Sequence, residues 1–238
     1  MDVLTVNKGK TAEIELDGRS YLRYAIKTHF ITVGENLVDI VEQYVSPVYQ
    51  EGDLLCIAEK IVAICQGNVV YKKDLKVSWL ARTLSRYVVK APHGYGLRDK
   101  YAMQIAINLV GPFRIVMAAV AAAFGKLIGK KGWFYQILGP EVRGIDCCLE
   151  RDSLPNIFPY YFELATLIPE KPDQACQQIK DKLGIACAIV DANDLGVEIL
   201  GTSQGLDKER QLLARLIKDN PAGQNQQQTP MILVRPRQ

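Results

Sequence analysis

The sequence predicts an α+β fold, and three observations carry that expectation. Nearly half of the 238 residues are apolar, 48 %, which supports a substantial buried core. β-type runs and helix-spaced runs both occur. They are mixed along the chain without the strict strand–helix alternation of a doubly wound sheet. The length suits one large domain, and residues 1–238 are read as a single domain with a mixed sheet and packed helices.

The elements follow in order. Residues 20–32, SYLRYAIKTHFIT, alternate and are rich in Tyr and Ile, which predicts a strand. Leu37, Ile40, Val41, Tyr44 and Val45 keep helical spacing behind Asn36 as N-cap, and Pro47 ends that helix. Asp53–Ala58 reads as a short buried strand, Ile61–Cys65 continues it as an apolar run, and Gln66–Asn68 turns into a strand at Val69–Tyr71. Ser78 caps a second helix with Leu80, Ala81, Leu84, Tyr87 and Val88 on one face.

Residues 91–100 form a polar loop, and an Ala-rich helical segment, 105–134, follows. Trp133–Leu138 is strand-like and Tyr160–Leu167 looks extended. Pro172–Asp173 opens a third helix that Gly184 stops. Ile185–Val190 is the next strand, Asp207 caps a last helix, and 221–229 is a Gln-rich flexible loop. Met231–Arg235 is a final short strand.

Composition excludes several classes. A net charge of +3 with no basic block argues against nucleic acid. Six cysteines without a CxxC pair, and two histidines, argue against zinc. Cysteines inside apolar runs behave as small hydrophobes and suit a reducing cytoplasm, with the vicinal Cys147–Cys148 as a redox alternative. MDVLTVNKGK lacks a basic then apolar leader. Ile115–Ile128, IVMAAVAAAFGKLI, is too short to span a bilayer and reads as a core helix, with membrane-surface contact through 115–131 as the alternative.

Phosphate-binding glycine loops and a Ser/His triad are both missing from the sequence. What remains is acidic. In ACAIVDANDLG, Ala186–Gly196, an apolar run ends in Asp191, Asn193 and Asp194; GID, Gly144–Asp146, offers a second acidic position. Carboxylate and amide oxygens of this kind suit Mg²⁺ or Mn²⁺, although Asp and Asn at strand ends also make local backbone bonds. Glu59–Lys60 interrupts CIAEKIVAIC, either as a strand end facing a phosphate or as a surface turn. Lys126, Lys130, Lys131 and Arg143 surround GKLIGKKG, either holding phosphates or an anionic surface or forming a solvated helix end.

Taken together the chain resembles the coenzyme F-420-0:L-glutamate ligases (gamma-glutamyl ligases, CofE-like). THFITVGENL at 28–37, EGDLLCIAEKIVAICQGNVV at 51–70, GID at 144–146, LIPEKPDQA at 167–175 and AIVDANDLG at 188–196 carry the resemblance in order. It implies an α+β dimer that binds GTP, or another nucleotide, with Mg²⁺ or Mn²⁺ and joins an amino acid to a small-molecule carboxylate through an acyl phosphate. It places Thr28, His29, Phe30, Ile31, Glu59 and Lys60 at the nucleotide, and Asp146, Asp191 and Asn193 at the metal. The chain departs from the family pattern at three polar positions, which are Ile64, Leu149 and Ala192 here. Those departures favour the alternative of a non-catalytic module that binds a nucleotide or anionic metabolite.

Overall fold

Short apolar runs bounded by turns become the centre of a sheet when both of their faces are covered. Leu54–Ala58 and Cys187–Asn193 of this chain are such runs. A computed structural model describes residues 3–88, 96–130, 132–147, 149, 159–193, 196–223 and 226–237. They form two compact units: residues 1–67 with 169–238, and residues 68–168.

The first unit opens with β1 (Leu4–Thr5), β2 (Glu13–Leu16) and β3 (Arg19–Ile26). Next come α1 (Leu37–Tyr44), β4 (Leu54–Ala58) and α2 (Glu59–Cys65). Asn36 caps α1 by accepting a bond from the Val38 N–H at 2.9 Å. The second unit holds β5 (Val69–Tyr71), α3 (Trp79–Tyr87), α4 (Lys100–Val110), α5 (Pro112–Leu127), α6 (Trp133–Leu138), α7 (Pro140–Arg143) and β6 (Leu164–Thr166). The chain then returns to the first unit with α8 (Pro172–Leu183), β7 (Cys187–Asn193), β8 (Gly196–Thr202), α9 (Arg210–Leu216) and β9 (Met231–Pro236).

One mixed sheet of seven strands organises the first unit, in the order β1-β3-β9-β4-β7-β8, with β2 also on β3. β4 and β7 pair in parallel, Leu55 opposite Cys187 and Ala58 opposite Val190. β9 lies antiparallel between β3 and β4. Alternate residues face opposite sides. Cys56, Ala188, Val190, Ile232 and Val234 pack under Leu213, Leu216 and Ile217 of α9 and its end. α8 packs against β7 and β8, and the Cys187 thiol reaches the Cys176 carbonyl of α8 at 3.5 Å.

A helical core defines the second unit. Ala81, Met103, Ala106, Ile115, Ala118 and Leu138 meet in it. A two-stranded ribbon, β5 with β6, lies in the same unit. The mixed sheet with packed helices agrees with α+β.

Two local expectations are corrected. Ile61–Cys65 is not an extended continuation but most of α2, and its Ile61, Val62, Ala63 and Ile64 are all buried. Trp133–Leu138 is α6, entered and left through glycines with positive φ, Gly132 at 92° and Gly139 at 86°. A short apolar run has the same composition as a buried strand and a buried helix, so periodicity does not separate them. The extended reading of Tyr160–Leu167 holds only for β6; a 3-10 turn covers Pro159–Phe162. The Ala-rich segment is two helices, because Gly111 at φ 84° and Pro112 break it.

Candidate functional site

The sheet topology brings most of the predicted site residues of the first unit to one edge. β3 and β4 both run antiparallel to β9, and β7 runs parallel to β4. These three strands therefore share a direction and finish at the same edge of the sheet. Thr28–Ile31 follow β3, Glu59–Lys60 follow β4, and Asp191–Asn193 are the last residues of β7. Backbone bonds tie this edge together: the Thr28 N–H donates to the Gln228 carbonyl at 3.0 Å and the Ala58 N–H to the Pro230 carbonyl at 2.9 Å. The ends of parallel strands are where open α/β sheets commonly place ligands.

Each position has its own surroundings. Thr28 and Ile31 are buried, Ile31 at 3 % exposure, so that side chain belongs to the core. His29 is exposed and doubly held: Nδ1 lies 2.8 Å from the Tyr44 hydroxyl and Nε2 lies 2.5 Å from Glu35 Oε2. Burial raises the Glu35 carboxyl, but bonds from the Thr32 N–H, His29 and the Thr32 hydroxyl outweigh it and hold the group below its ordinary pKa. Glu35 and Tyr44 were not read from the sequence; the spacing of Glu35 after His29 in HFITVGE was the available signal. Phe30, Glu59 and Lys60 are half-buried.

Asp191 and Asn193 interact within their hairpin. The Asn193 side-chain nitrogen donates to Asp191 Oδ1 at 3.2 Å, and its oxygen accepts from the Gly196 N–H at 3.2 Å. Asp146 lies in the second unit, where its backbone bridges Thr166 through bonds of 3.0 and 2.9 Å. The glycine of GID is required by space: a Cβ on Gly144 would stand 2.1 Å from Ile168 Cγ1. Among the described residues no three His, Cys, Asp or Glu side chains converge as a metal site. Carboxylate oxygens such as those of Asp191 suit a hard cation, and the Asn193 amide oxygen beside it is held by the Gly196 N–H.

The polar family positions that changed are apolar in fact as well as in name. Ile64 is fully buried in α2, Leu149 packs with Ile105 and Ala165, and Ala192 packs against the cluster under α9. The buried cysteines behave as the sequence suggests, with burial pushing the Cys56 thiol up to about 12. Cys148, with His93, Gly94, Lys131 and Asp194, lies outside the described residues.

The second unit also has a cleft that the sequence reading missed. Its cavity, about 910 Å³, is lined by Lys76, Arg82, Arg86, Arg98 and Lys100, with Ser85 and Tyr101 among its other residues and, among the described residues, no carboxylate. The five cations come from three separate stretches of chain, so no basic block marks them in the sequence.

A model of the F420-0:gamma-glutamyl ligase family matches residues 25–192. The chain belongs to this family. The match contains the β3 end, the Glu59–Lys60 step, the GID segment and Asp191. No curated protein matches the chain. Membership of the gamma-glutamyl ligase family supports a ligase role. Among the described residues no single helix is long and apolar enough to cross a membrane.

Proposed function

We propose that this gamma-glutamyl ligase family member forms an amide bond between a carboxylate acceptor and an amino acid, using a nucleoside triphosphate and a divalent cation. The observation that carries the reading is the convergence of three strand ends, bearing Thr28–Ile31, Glu59–Lys60 and Asp191, at one sheet edge within the family match. An acceptor carboxylate oxygen attacks the terminal phosphorus, giving an acyl phosphate and a nucleoside diphosphate. The amine then attacks the acyl carbon, phosphate leaves, and the nitrogen gives up a proton. In this scheme Lys60 is a point charge for the phosphates and Asp191 is a carboxylate that would hold the metal, while Asp146 is a separate candidate metal carboxylate of the second unit. A bound Mg²⁺ or Mn²⁺ would supply charge neutralisation on the transferring phosphoryl group. Taken by itself, the cationic cleft of the second unit suits a phosphate- or carboxylate-bearing ligand.

Buried Ile64 and Leu149 and the packed Ala192 favour a second reading, a module that binds the nucleotide or an anionic metabolite without turnover. Thermal shift with GTP, ATP and GDP, each with and without Mg²⁺ or Mn²⁺, tests both. A ligand at 100 times its Kd stabilises the fold by about 2.7 kcal/mol. A metal-dependent shift with one triphosphate, plus phosphate release that needs glutamate or another amine, supports the ligase. A shift without release supports the module, and no shift with any nucleotide removes the ligase and the nucleotide-binding form of the module. Asp191→Asn is expected to reduce the metal-dependent part of the shift more than Leu149→Ala does, and equal metal affinity of Asp191→Asn and wild type in calorimetry removes Asp191 from the metal.

A further inference from the structure

α5 carries a surface that the ligase reading does not use. Phe113, Val116, Met117, Val120, Phe124 and Leu127 are exposed at 78, 40, 51, 61, 57 and 84 %. Their three- and four-residue spacing puts them on one helix face. Ile115 and Ala118 on the other face are buried in the core of the second unit. An aromatic side chain offers about 150–250 Å², so the two phenylalanines alone expose roughly 200–340 Å². With four aliphatic neighbours the stripe exceeds the scattered apolar exposure of ordinary surfaces.

The charges along this stretch of chain have one sign. Between Lys100 and Pro140 the chain has Lys100, Arg114, Lys126, Lys130 and Lys131 and no Asp or Glu. Lys126 and Lys130 are exposed at the end of α5, beside Leu127. The Trp133 ring, half-buried, stands 6.5 Å from the Phe124 ring.

We propose that the α5 stripe docks the protein on an anionic lipid bilayer. The apolar side chains enter the boundary between headgroups and acyl chains, and Lys126 and Lys130 meet the lipid phosphates. Charge complementarity selects this occupant. A second copy laid on the stripe would bring Arg114, Lys126 and Lys130 against their own counterparts, and like charges in contact are costly. The helix lies on the bilayer and does not cross it: its 16 residues extend about 24 Å, less than a hydrocarbon core of about 30 Å. α4 turns away from it by 116°.

The test is co-sedimentation of the full chain with vesicles of phosphatidylcholine alone and of phosphatidylcholine with phosphatidylglycerol, at low and high salt. Binding is expected on the anionic vesicles only and is weakened by salt. Lys126→Gln with Lys130→Gln is expected to weaken it roughly 25-fold, about fivefold for each lysine near an anionic surface. Phe124→Ser with Leu127→Ser is expected to abolish binding while circular dichroism stays unchanged. No binding to anionic vesicles overturns the proposal, and so does binding that both double variants leave intact. Sedimentation velocity without lipid closes the remaining route: self-association that Phe124→Ser with Leu127→Ser dissolves would assign the stripe to a second copy and overturn the bilayer.

Discussion

The two units of this chain handle apolar surface and charge in opposite ways. Of the eleven large hydrophobic residues exposed among the described ones, ten lie in residues 68–168 and only Val6 lies in the sheet unit. The sheet unit has 15 Lys and Arg against 19 Asp and Glu, and the helical unit has 14 against 7. A modest +3 for the whole chain therefore hides −4 in one unit and +7 in the other. The sheet unit encloses its apolar side chains on both faces and pairs its buried charges. The helical unit encloses a core and still presents apolar and cationic groups outward. Total net charge is thus a poor guide to partners when a chain folds as two units.

The largest effects test whether the sheet unit depends on its internal pairing. Asp53 is 1 % exposed and takes two bonds from Arg235, 2.8 Å from Nε and 2.7 Å from Nη2. That hydrogen-bonded carboxylate raises the Arg235 pKa against the opposing effect of burial. Asp53→Ala leaves the guanidinium half enclosed without its partner, and a loss of about 3–5 kcal/mol in chemical denaturation is expected. In the helical unit the corresponding test uses two positions of one helix. Ile115→Ala empties a fully buried site and should cost about 2–5 kcal/mol, whereas Val120→Ala on the stripe should change stability by no more than about 0.5 kcal/mol. Equal costs at Ile115 and Val120 would break the distinction between the two faces of α5.

A smaller effect probes close packing. A Cβ on Gly201 would stand 2.5 Å from the Pro172 carbonyl carbon and 2.6 Å from the Asp173 nitrogen. That obstacle is the backbone of α8, which must move as a body, so Gly201→Ala should cost about 1–3 kcal/mol in thermal unfolding. A neutral result would show that α8 rides on β8 with slack.

Much of the sheet unit was legible because its rules are local. Asn36 and Gly184 mark helix ends there, as Ser78 does in the helical unit, and all three do so in the structure. The central strands β4 and β7 are continuous apolar runs bounded by turns. The strand-end acids were legible for the same reason. α2 and α6 were not, since short elements of seven and six residues, with five apolar residues in each, fit either period. β2 and β8 were missed as well: Glu13–Leu16 alternates over only four residues, and β8 contains two glycines and a glutamate that dilute its pattern. The cleft of Lys76, Arg82, Arg86, Arg98 and Lys100 depends on tertiary packing of α3 with α4, and spacing along the chain does not record it.

A small effect is expected at the strand-end edge, where pairing is exposed. His29 and Glu35 keep side-chain exposures of 39 and 30 %, so their pair is worth under about 1 kcal/mol after solvent screening. The sign follows from the lowered Glu35 pKa. A carboxyl whose folded pKa lies below its unfolded one stabilises the fold fully above the ordinary glutamate range, near about 4.3, and loses that contribution as pH falls through the folded value. Thermal unfolding of Glu35→Gln against wild type should therefore show a small deficit at neutral pH that disappears in acid. A deficit that persists unchanged into acid would mean that Glu35 acts by shape alone. The loop that presents His29 at the sheet edge would then be held by Tyr44 and the backbone, without the carboxylate charge.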